Sequence, residues 1–64
     1  SMLTLSELLI AHPELEGFDE LREVLRDAAR DARFFRMDVR PPYTDTPDNW
    51  EDVLESTFSG VLGR

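Results

Sequence analysis

The residues that could take part in chemistry are few and scattered. His12 is the only histidine, and Pro13 follows it directly. A nucleophilic serine needs a base within hydrogen-bond reach and a third group to orient that base. Ser6, Ser56 and Ser59 have no second histidine to draw on, and no glycine-rich elbow lies beside them. Glu14 with Glu16, or Asp45 with Asp48, could be drawn as a general acid and base, but nothing in the pattern marks a pocket around either pair. There is no phosphate-cradling glycine loop. Without cysteine and with a single imidazole, no metal-ligand cluster of the usual spacing can be assembled. His12 reads as a helix-end histidine near the negative end of the helix dipole. A catalytic site also needs a cleft, for which a chain this short has little room. The expectation is therefore no catalytic residue, no cofactor, no metal and no independent enzymatic activity.

The stretch "RDAARDARFFRMDVR", residues 26–40, is more informative, because it carries five arginines in a chain of net charge -7. On a helical wheel Arg22, Arg26, Arg30, Arg33 and Arg36 fall within an arc of roughly 120°. Glu20, Glu23, Asp27 and Asp31 occupy the far side. A basic stripe is what a nucleic-acid binder presents. Yet residues 18–36 hold five acids against five arginines, and residues 1–17 and 41–59 carry acids and no base. A polyanion would be repelled by everything except one helix face, at a range of about 8–10 Å in physiological salt. Nucleic acid is not the expected partner. Glu23 with Arg26 and Asp27 with Arg30 can form i, i+3 pairs on a solvated helix. Alternatively the arginines meet Glu51, Asp52 or Glu55 of a later segment, or the acids of a second protein, where they would set register and partner choice.

The elements that would carry these residues follow from caps and periodicity. In "LTLSELLIAH", Thr4 and Glu7 have capping-box spacing, and Leu5, Leu8, Leu9 and His12 share a face, which predicts a helix at about residues 4–12. "PELEG" closes it. Apolar residues at Phe18, Leu21, Leu25, Ala28, Ala32 and Phe35 predict a second helix over about 18–36. Phe35, Met37 and Val39 then alternate with charged residues before Pro41 and Pro42, so a short extended segment at about 36–40 is possible. Thr46 as N-cap and Pro47 in the first turn open a third helix at about 47–59, with Trp50, Val53, Leu54, Thr57, Phe58 and Val61 as its stripe and Gly60 or Gly63 as its stop. "LSELL" at residues 5–9 and the acidic-apolar run 49–62 resemble groove-binding helices, but both read more simply as core helices. The expected fold is all-α: one domain over residues 1–64, a three-helix unit with a proline-rich crossover.

Sixty-four residues bury only about 60% of the unfolded chain's surface, and no disulfide can make up the deficit. Every basic side chain is arginine, which carries no functional weight. Ser1 before Met2 looks like a residue left by tag removal, with Met2 the expected native start. No run approaches the roughly 20 apolar residues of a membrane span, and no secretory signal pattern opens the chain, so a soluble, cytoplasmic protein is expected.

More apolar side chains are present than so small an interior can hide. Leu3, Ile10, Phe34, Met37, Val39 and Tyr43 lie off the three stripes, and a patch built from them would mark an interface. "FFRMDV" could pair with its own copy across a two-fold axis, add to another protein's sheet, or form a loop. The expected function is a non-enzymatic interaction module or small regulatory subunit, acting as a homodimer or docked on a larger protein. Its contacts would be Arg26, Arg30, Arg33, Phe34, Met37, Val39 and Tyr43. The alternatives are a helix-turn-helix transcriptional regulator that reads DNA with the arginine face, and an accessory helical piece of a larger enzyme.

Overall fold

In the computed structural model, which describes residues 1–62, the chain runs β1 (Met2–Thr4), α1 (Leu5–Ala11), α2 (Phe18–Ala29), β2 (Phe34–Arg36) and α3 (Trp50–Leu62). The expected all-α unit is thus corrected to a small mixed α/β fold, three helices with a two-stranded parallel sheet. The two strands pair in the register Met2 with Phe34, Leu3 with Phe35 and Thr4 with Arg36. A parallel pair needs a long crossover, and α1 and α2 together supply it.

The first helix starts as its cap predicts. Thr4 is extended, at φ -109° and ψ 147°, and its Oγ1 accepts the Glu7 amide at 3.2 Å. The second helix is shorter than its periodicity predicts. Past Ala29 the amides of Arg30, Asp31 and Ala32 turn back to the carbonyls three residues earlier, at 3.4, 3.2 and 3.3 Å, so the last turn tightens and ends. The amides of Arg33 and Phe34 then both donate to the Ser1 carbonyl, at 2.9 and 3.2 Å. Continuing the helix would have kept Phe35 on the α2 stripe; unwinding it lets Phe35 stack on Phe58 of α3, with ring centroids 5.3 Å apart. The extended segment accordingly falls at Phe34–Arg36, not at 36–40, and its partner strand lies within the chain.

The third helix also starts late. The Thr46 hydroxyl, expected to cap it, donates to the Pro41 carbonyl at 3.4 Å, and the Thr46 amide closes a turn on the Tyr43 carbonyl. Pro47 instead accepts the Trp50 amide in a single turn ahead of the helix. Gly60, one of the two expected stops, lies inside α3; Gly63 falls outside the described residues.

The core lies where α2 packs on α3, the broadest contact between elements, with α1 and the sheet closing its sides. Leu5, Leu21, Leu25, Ala29 and Leu54 are wholly buried, and Leu8, Phe18, Ala32 and Phe58 nearly so. Ala28 and Ala29 keep the last turn of α2 narrow.

Candidate functional site

β1 and β2 present two unlike faces, because side chains alternate along a strand. Leu3 and Phe35 are partly buried and pack against the core. Met2 and Phe34, in register with each other, point the other way and are 56% and 62% exposed. Arg36 follows Phe34 on that outer side, level with Thr4. At the end of α2, Ser1, Arg30, Asp31, Ala32, Arg33 and Phe34 line a hollow of about 580 Å³, so two arginines border the exposed ring.

Of the residues expected to make contacts, Phe34 and Val39 are exposed, whereas Met37 and Tyr43 are half-buried against the core. Burial raises the Tyr43 hydroxyl above its ordinary pKa, with help from the charges of Glu20 and Glu14. Ile10 is exposed on α1. A methionine beside an expected chain start carries no strand signal in the sequence; only its pairing with Phe34 makes Met2 part of a patch.

The five-arginine face is divided by the fold. Arg22 and Arg26 stay on α2, Arg30 is its C-cap, Arg33 stands in the turn, and Arg36 is in β2. On the helix the pairs are local: Arg22 with Asp19 at 3.5 Å, Arg26 with Glu23 at 3.9 Å and Arg30 with Asp27 at 4.0 Å. The expected i, i+3 pairs are therefore present, and no α2 arginine reaches an acid of α3 within 4.0 Å among the described residues. Such exposed pairs are worth only about 0–1 kcal/mol each. Arg33, Arg36 and Arg40 reach no carboxylate within 4.0 Å among the described residues.

A second hollow, of about 480 Å³, lies between α2 and α3 and is lined by Arg22, Arg26, Val53, Ser56 and Thr57 among others. Arg22 Nε is buried there with no hydrogen-bond partner among the described residues. The Ser56 and Thr57 hydroxyls both donate at 2.8 Å to carbonyls one turn back, Asp52 and Val53, and offer no proton to a ligand.

Two aspartates of the crossover region serve as helix anchors. Asp38 accepts the Ser6 amide at 3.0 Å and the Ser6 hydroxyl at 2.6 Å, at the start of α1. Asp45 accepts the Phe18 amide at 3.0 Å, at the start of α2, whose own N-cap is Gly17 and brings no side chain. The bonds from Ser6 lower the Asp38 pKa, the hydroxyl first and the amide second. Ser6 is thereby a structural donor, its hydroxyl proton given to Asp38. His12 Nδ1 lies 3.1 Å from Glu14 Oε2, and Glu14 is held below the ordinary carboxyl value by its own backbone amide and then by His12.

Among the described residues no group of three or more His, Cys, Asp or Glu is placed to hold a metal ion, and no helix is long and apolar enough to cross a membrane. Set against known protein families, curated proteins and solved structures, the chain matches none. The outer side of the sheet, with Phe34 and its bordering arginines, remains the surface at which burial and charge both depart from the rest of the molecule.

Proposed function

We propose that this chain is a non-enzymatic protein-interaction module, a small cytoplasmic regulatory or accessory subunit that docks through the outer side of its sheet, on a larger protein or on a second copy of itself. One observation carries the reading: Met2 and Phe34 lie side by side, more than half exposed, on a molecule whose core is otherwise closed. The accessible surface, 4270 Å², is close to the roughly 4,200 Å² expected of a folded monomer of 7.4 kDa. The exposed pair is thus a local feature of a closed globule and not a symptom of an unfinished core.

The test is the double variant Met2→Ser, Phe34→Ser. Association, read by sedimentation for self-pairing and by affinity capture for a partner, should be lost while the far-ultraviolet circular dichroism and melting temperature stay those of the wild type. A double variant that associates as well as the wild type would sink the reading, as would a wild type that is monomeric and captures nothing.

A further inference from the structure

We infer that the open edge of β2 receives an extended, acidic segment of another protein, one that alternates carboxylates with aliphatic side chains. The inference rests on the interaction reading above and names the partner's chemistry. Three observations carry it. First, β2 is paired on one side only: the sheet has two strands among the described residues, so an added strand would find unpaired backbone groups beside an exposed ring.

Second, the charge at this edge is opposite to that of the rest of the chain. Residues 30–40 hold four arginines and two aspartates, while the other fifty-three residues hold three arginines and twelve acids. Of the two aspartates, Asp38 accepts from Ser6 and also feels the charge of Arg36, and with both aspartates counted residues 30–40 still carry a net charge of +2, four arginines less two aspartates. Arg33, Arg36 and Arg40 form no salt bridge within 4.0 Å among the described residues. Two copies meeting edge to edge across a two-fold axis would bring Arg33 and Arg36 towards their own images. The same arginines that resist a second copy favour an acidic strand.

Third, the area is small. Met2 and Phe34, each a little over half exposed, offer on the order of 200 Å² of apolar surface between them. A stable dimer of globular partners takes about 800 Å² from each. A short strand needs far less, since main-chain hydrogen bonds supply part of its affinity.

The probe is a displayed library of random twelve-residue peptides selected on the wild-type chain, with amide chemical shifts recorded on the winners. The expected result is enrichment of Asp and Glu interleaved with Val, Ile or Leu, with shifts centred on Phe34–Arg36. Binding should weaken as salt rises and fall about tenfold in the Arg33→Glu, Arg36→Glu variant, with the neutral Arg33→Gln, Arg36→Gln pair in between. Enrichment of basic or wholly apolar peptides, or acidic peptides bound equally by the charge-reversed variant, would overturn the inference and leave the interaction reading standing. So would a wild-type dimer that Phe34→Ser dissolves. A monomer that enriches nothing would overturn both.

Discussion

Ser6 and Asp38 lie 32 residues apart in sequence and are joined by two hydrogen bonds, from the Ser6 amide at 3.0 Å and its hydroxyl at 2.6 Å. The carboxylate lies just beyond β2 and the serine in the first turn of α1, so this contact ties the end of the sheet to the helix that β1 leads into. Thr4 Oγ1, which caps Glu7, stands 3.5 Å from the same serine hydroxyl. Two side chains thus serve adjacent orphan amides at one helix start.

Asp38 titrates below its ordinary 3.8 in the folded chain because both Ser6 bonds favour its charged form. Its stabilising contribution is therefore present above the unfolded value and lost as pH falls through the lower folded one. The melting temperature of Asp38→Asn should lie below that of the wild type at neutral pH, and the two should converge in acid. Glu14, also lowered, is unchanged in this comparison and cancels. Thermal melts followed by circular dichroism down to about pH 2 check this; a gap that persists in acid would count against the clasp.

Adjacent phenylalanines should behave oppositely. Phe34→Ser removes an exposed ring and should change stability by no more than about 0.5 kcal/mol. Phe35→Ser removes the ring stacked on Phe58 and should cost about 2–4 kcal/mol. Urea midpoints decide it. Reversed losses would mean that the two strands face the other way, and equal losses that Phe34 is no freer of the core than Phe35.

Asp45→Ala should cost about 1 kcal/mol, the value of a lost N-terminal cap, although Asp45 stands 27 residues from the amide it serves. The loss should appear as faster amide exchange at Phe18 and in the first turn of α2. Unchanged exchange there would mean that Gly17 and solvent suffice.

Arg22→Met should leave stability unchanged or raise it by about 1 kcal/mol. The substitution keeps an apolar stem in the hollow between α2 and α3 and removes the buried, unpartnered Nε. It gives up only a surface pair with Asp19 at 3.5 Å. A clear fall in the urea midpoint would show that the guanidinium has a partner in solution.

Leu54→Ala should be the most damaging of these changes, at about 2–5 kcal/mol, because Leu54 is fully buried at the α2–α3 contact. In a domain of this size that is enough to unfold much of the population at room temperature, read directly from the helical signal.

The helices were legible in the chain because their signals are local. Thr4 and Glu7 mark the start of α1, the apolar spacing from Phe18 to Leu25 marks α2, and Trp50 to Phe58 marks α3; each cue lies within a few turns of the structure it specifies. The i, i+3 ion pairs on α2 were legible for the same reason. The end of α2 was not, because the helical pattern continues through Ala32 and Phe35. What stops the helix is the Ser1 carbonyl and the Phe58 ring, brought there from the two ends of the chain. Strand pairing and long-range caps depend on which residues meet, and sequence spacing does not encode that at 27 or 32 residues' separation. Sequence alone therefore determined the three amphipathic helices, the charge balance and a surplus of apolar side chains. Tertiary structure decided which of that surplus is hidden: Met37 and Tyr43 fold onto the core, while Met2 and Phe34 are turned outward by the alternation of a strand whose partner only the folded chain supplies.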